Sequence, residues 1–191
     1  MAGEDVKTGK VLRNRWTAGF GIAVTVIFLL AWLFMVVFEA LDGEPLRVQN
    51  LLFMAVFFPF FWWFFLKVTF FTRVELTDDR VVVKNVFHRV DIPAREITAV
   101  HGKGRLRIEV RGGQAFSCFN LDGSLLGRLT GHSTNQRCAR EIEDFLAAGK
   151  KAGHRSRGEE IRTAPHLNLE FLLGAVLFGF VVPLLLNLLP A

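Results

Sequence analysis

Ala18–Phe38 reads AGFGIAVTVIFLLAWLFMVVF, a run of 21 residues with no ionisable side chain. Two runs of the same length follow: Leu51–Phe71 (LLFMAVFFPFFWWFFLKVTFF) and Leu169–Leu189 (LEFLLGAVLFGFVVPLLLNLL). At about 1.5 Å of rise per residue each makes a helix of about 31 Å, the thickness of a hydrocarbon core. The pattern reads as an integral membrane protein with three spans. The rest of its chemistry then falls in the polar block 72–166, long enough for one small domain.

The first run is too apolar and too long for a cleaved signal, and its exit, Val37-Phe38-Glu39-Ala40, offers no small-x-small site. It reads as an uncleaved anchor. Lys7, Lys10, Arg13 and Arg15 precede it, whereas the loop to the second run has only Arg47, beside Glu39, Asp42 and Glu44. Arg73, Arg80 and Lys84 follow the second run, and Lys150, Lys151, Arg155, Arg157 and Arg162 precede the third. By the positive-inside rule the tail 1–17 is cytoplasmic and spans one and two occupy 18–71 around an external loop 39–50. A domain at 72–149 and a basic linker at 150–166 are then cytoplasmic. The third span, 167–191, ends outside, making a multi-pass plasma-membrane protein.

Within the polar block, Arg73–Thr77 alternates, with Val74 and Leu76 on one face. Val81–Phe87 is β-branched, His88–Ile92 alternates up to Pro93, and Ile97–His101 is a short strand. Arg105–Arg111 (RLRIEVR) points Leu106, Ile108 and Val110 inward, and Gly112-Gly113 turns the chain into Gln114–Leu121. Short strands joined by tight turns indicate an antiparallel meander. Ser124–Leu129 is a weak extra strand. Ser133 then caps a helix to about Ala148, with Cys138, Ile142, Phe145 and Leu146 on one face and Gly149 as its stop. The fold class is three membrane helices plus a small α+β domain whose helix covers a sheet or barrel end.

The stretch VELTDDRVVVKNVFHRVDIPAREITAV (Val74–Val100) resembles the opening of bacterial pleckstrin-homology-like (PH-like) domains. The matching elements are the Asp78-Asp79 turn, Val81–Val83, the strand from Arg89 to Ile92-Pro93, Arg95-Glu96 and Ile97–Val100. The resemblance covers about residues 72–148. It implies a curved antiparallel sheet, or partial barrel, capped by a C-terminal helix and placed beside membrane spans. It implies no catalytic residue.

Catalytic motifs are missing from the residues themselves. No His pair sits at i, i+3 or i+4, and no phosphate-binding or nucleophile-elbow motif occurs. Cys118 and Cys138 are 20 residues apart, which is not metal-ligand spacing, and a reducing compartment argues against a disulfide. No enzyme activity, cofactor or metal is expected. Lys67 and Glu170 are the two ionisable residues inside the runs. Two readings stand: each snorkels to the interface, or they pair and join spans two and three. Ala175 with Gly179, and Gly19 with Gly21, are small-residue seats for another helix, consistent with a homo-oligomer.

The strongest binding signal is a basic stripe. Arg105, Arg107 and Arg111 project from one face of a strand, with Lys103 just before it and Glu109 between them. Residues 72–166 hold 17 Lys and Arg against 12 Asp and Glu, a net of +5. Beside an anionic leaflet each such cation gains about 1 kcal/mol. The expected partner is therefore membrane lipid, through anionic head groups; the alternative is a scaffold that binds a protein partner through the sheet, or a subunit of a larger membrane complex. Nucleic acid is not expected, because no aromatics interleave the stripe.

Overall fold

Alternation of burial fixes the inner face of the β structure: Val74, Leu76, Val81, Val83, Val90, Ile92, Leu106, Ile108 and Val110 are all buried in one core. The computed structural model describes residues 9–41, 47–77, 79–121, 133–151 and 160–188. The chain divides into two units: Met1–Arg15 with Phe70–His166, and Trp16–Thr69 with Leu167–Ala191.

In the β unit, a five-stranded antiparallel sheet has the order β1-β2-β3-β4-β8. Its strands are β1 (Lys10–Leu12), β2 (Arg73–Thr77), β3 (Arg80–Lys84), β4 (His88–Pro93) and β8 (Arg162–Pro165). A three-stranded antiparallel sheet contains β5 (Ile97–His101), β6 (Arg107–Val110) and β7 (Ala115–Ser117) in that order. Helix α3 (Ser133–Lys151) adds Cys138, Ala139 and Ile142 to the shared core.

Several boundaries differ from the sequence expectations. The tail 1–17 and the linker 150–166 each contribute a strand. Lys10–Leu12 pairs with β2 and buries Leu12, and Arg162–Pro165 pairs with β4. Both are edge strands of three or four residues, too short for alternation to mark them; pairing with a neighbour distant in sequence selects them. β3 stops at Lys84 rather than Phe87, because Asn85 N–H donates to His88 O and closes a hairpin over Asn85–Phe87. Asn is a turn former, and that signal was available. Helix α3 passes through Gly149 to Lys151. Alanines before that glycine and lysines after it favour the last turn and suit the negative helix end. The expected strand Ser124–Leu129 lies outside the described residues.

The helical unit contains α1 (Arg15–Leu41), α2 (Val48–Leu66, continued by a π turn over Lys67–Phe71) and α4 (Leu169–Leu188). All three are long and apolar enough to cross a membrane. They are apolar all round, and many large side chains, among them Phe20, Leu30, Phe34, Leu173 and Leu177, face outward. Aromatic packing holds α1 to α2: Phe28 stacks on Phe61 at 4.8 Å, and Trp32 meets Trp62 edge-on at 5.4 Å. Both of those indole N–H groups are buried without an oxygen or nitrogen acceptor.

The small residues serve packing inside the chain. Gly179 of α4 lies against Pro59 and the Met54–Ala55 backbone of α2, and Gly21 of α1 lies against Thr69. A Cβ at either position would collide. Gly19 has open space beside it.

Candidate functional site

The basic stripe is built by β6 and the turn before it. Leu106, Ile108 and Val110 point into the core, so Arg107 and Glu109 take the outer face of β6, with Arg105 just before the strand and Arg111 just after it. Lys103, Arg105, Arg107 and Arg111 are all exposed. The first helical turn of α3 fixes the β5–β6 turn that carries Lys103 and Arg105. Buried Asn135 donates from Nδ2 to Gly104 O at 2.6 Å. Gly102 lets the helix approach, since a Cβ there would lie 2.7 Å from Asn135 O. Asn135 is a positioning residue that sequence reasoning missed.

Glu109 interrupts the stripe as expected, and the register supplies it with partners. Its carboxylate lies 3.4 Å from Arg107 Nε and 3.6 Å from His101 Nε2. Its cross-strand neighbours are the small Ala99 and Ala115, while His101 faces Arg107. Arg107 therefore reaches along β6 to the acid, and the His101 ring approaches it diagonally from β5. Lys103, Arg105 and Arg111 make no ion pair among the described residues. Arg111 stands at the other end of β6, where its N–H donates to Glu96 O and Gly112 and Gly113 turn the chain with φ of 93° and 79°.

The five-stranded sheet carries a second set of cations that the sequence did not disclose. Its register places Arg73, Lys84 and Arg89 in one cross-strand row. Glu75 and Asp91 stand on the next outward-facing row. Arg73 Nε and Lys84 Nζ donate to Glu75 Oε1 at 2.6 and 2.8 Å. Arg89 grips Asp91 with two bonds, of 2.7 and 3.0 Å. Burial pushes the Glu75 carboxyl up, but the Lys84 and Arg73 hydrogen bonds outweigh it and hold the group below the ordinary carboxylate range. The Asp91 hydrogen bond raises Arg89 further. These cations are matched.

Buried Asn85 joins the two sheets. Its side-chain amide imitates a strand neighbour: Nδ2 donates to Ser117 O at 2.8 Å, and Oδ1 accepts from Phe119 N–H at 2.8 Å. Its own carbonyl lies 3.2 Å from His166 Nδ1, which must donate there, and His166 N–H donates to Phe87 O at 2.9 Å.

Lys67 and Glu170 do not meet. Lys67 is 1% exposed, donates to Asn168 Oδ1 at 3.0 Å and lies 5.2 Å from the Trp63 ring centroid. Trp63 Nε1 donates to Leu167 O at 3.1 Å, so the turn into α4 is latched to the end of α2. Asn168, with φ of 49°, stands just before α4, whereas Glu170 lies in its first turn. Glu170 instead lines a cavity of about 490 Å³ with Thr25, Leu29, Trp62, Leu66 and Phe178. No His or Cys lines that cavity. Among the described residues no group of three or more His, Cys, Asp or Glu could hold a metal. Cys118 and Cys138 are buried free thiols, and burial, reinforced by Glu141, pushes the Cys138 thiol up. Comparison with family models, with curated proteins and with solved structures finds no match to this chain.

Proposed function

We propose that this chain is a non-catalytic, membrane-anchored binding module. The β unit engages anionic lipid head groups through Lys103, Arg105, Arg107 and Arg111. The observation that carries the reading is the difference in pairing between the two sheets. The row Arg73, Lys84 and Arg89 is matched by Glu75 and Asp91, while the β5–β7 face leaves three of its four cations without an acidic partner among the described residues. Unmatched, exposed cations in the turns that flank β6 suit phosphate groups at a surface.

Membrane anchoring is supported by the length and apolarity of α1, α2 and α4 and by their uncovered outer faces. The Lys and Arg distribution favours a cytoplasmic β unit. Support for a PH-like fold is the order of elements: β2-β3-β4, then β5-β6-β7, then a helix on their common core.

The test is thermal unfolding of the full chain in neutral detergent, with a short-chain phosphatidylglycerol added at low and physiological salt. The midpoint should rise with the anionic lipid and much less with phosphatidylcholine. The rise should shrink in a variant with all four cations changed to Ala. An equal response to both lipids, or the same response in the variant, contradicts the reading. A protein partner is the second reading, favoured by β8, an edge strand with all four residues exposed.

A further inference from the structure

Among the described residues, the exposed large apolar side chains of the β unit are Val11, Phe70, Phe71, Phe87 and Phe119. Scattered apolar residues on a surface are ordinary, but the four Phe are not scattered. Phe87 is the tip of the β3–β4 turn, and its carbonyl holds His166 N–H. Phe119 N–H is held by the Asn85 side chain, and Asn85 O is 3.2 Å from the His166 ring. That ring packs edge-on against Phe71 at 6.4 Å, with Phe70 next in the chain. Phe70–Thr72 and His166 are also where the β unit continues into α2 and α4. One end of the unit therefore combines both chain crossings with Phe87 and Phe119, which are 55% and 50% exposed.

We infer that Phe87 and Phe119 insert into the lipid–water interface of the bilayer that α2 and α4 cross. The occupant of this apolar surface is the interface itself, where an apolar face sinks about 5–10 Å into the head-group and acyl boundary. Two covalent tethers that leave beside these rings keep them at that depth. Asn85 and His166 are positioning residues, locking both Phe-bearing segments to one tether.

The inference rests on the helices crossing a membrane and not on the basic face, so its test uses uncharged discs. The full chain is reconstituted in phosphatidylcholine nanodiscs with a nitroxide at Phe87→Cys, Phe119→Cys or, as a control, Gln114→Cys in the exposed β6–β7 turn. Cys118 and Cys138 are changed to Ala. If that background does not fold, both are retained, since at 1% exposure each is shielded from the label. Labels at 87 and 119 should collide more with oxygen than with a water-soluble nickel chelate, and the label at 114 the reverse. A nickel preference at 87 and 119 equal to that at 114 overturns the inference. Loss of anionic-lipid selectivity in the separate lipid test would leave this result unchanged, so the two failures are distinguishable.

Discussion

The two sheets of the β unit carry similar cations and use them differently. On the five-stranded sheet, Arg73, Lys84 and Arg89 stand one strand apart, with Glu75 and Asp91 on the next outward row. Each cation has a charge-assisted bond: Lys84–Glu75 ties β3 to β2, while Arg73–Glu75 and Arg89–Asp91 lie within β2 and β4. On the three-stranded sheet, Glu109 faces Arg107 and His101, and Lys103, Arg105 and Arg111 make no ion pair among the described residues. The difference lies in the supply of acids: Glu75 and Asp91 hold three cations on one sheet, whereas on the other the acid Glu109 is shared by Arg107 and His101.

Both faces rest on one core, so the largest expected effect is common to them. Ile142→Ala on α3 should cost about 2–5 kcal/mol. Reaction of Cys118 and Cys138 with a thiol dye on heating reports it, because both are buried and burial pushes the Cys138 thiol up. The two cysteines should become reactive together; separate transitions would split the sheets into independent parts.

The next effect should be confined to the three-stranded sheet. Changing Lys103, Arg105 and Arg107 to Ala should weaken anionic-lipid binding by about 3 kcal/mol, or roughly 100-fold, at low salt, with little change in unfolding. A large loss of stability instead would make this face structural.

Glu75→Gln addresses the other sheet and should lower stability by about 1–2 kcal/mol at neutral pH. The sign with pH follows from its lowered folded value. Its contribution is complete above the unfolded carboxyl pKa of about 4.3 and is lost as pH falls through the lower folded one. Unfolding midpoints of wild type and Glu75→Gln should therefore differ at pH 7 and converge in acid.

The smallest effect separates the faces most finely. Glu109 is half-exposed, so Glu109→Gln should change stability by less than about 1 kcal/mol. It should strengthen anionic-lipid binding several-fold by releasing Arg107 and His101. Weaker binding would mean that Glu109 holds the cations in place rather than competing for them.

The sequence made one sheet face legible and hid the other. RLRIEVR alternates within seven residues, so the outward Arg105, Arg107, Glu109 and Arg111 could be read directly. Arg73, Lys84 and Arg89 come from three strands, and only their pairing register aligns them. The edge strands β1 and β8 stayed hidden for the same reason, since their existence depends on partners distant in the chain. Asn85 advertised a turn, but its side-chain bridge to Ser117 and Phe119 depends on tertiary placement. Lys67 and Glu170 stood out as the charges inside apolar runs, but the partner of Lys67 is the neutral Asn168, which stands just before α4 with φ of 49°.

The most direct test of the central claim is native mass spectrometry of the full chain released from neutral detergent holding equal phosphatidylglycerol and phosphatidylcholine. Wild type should retain phosphatidylglycerol preferentially. The Lys103→Ala, Arg105→Ala, Arg107→Ala and Arg111→Ala variant should lose that excess while keeping lipids bound around its helices. The same phosphatidylglycerol excess in both proteins would contradict a lipid-reading role for the three-stranded sheet.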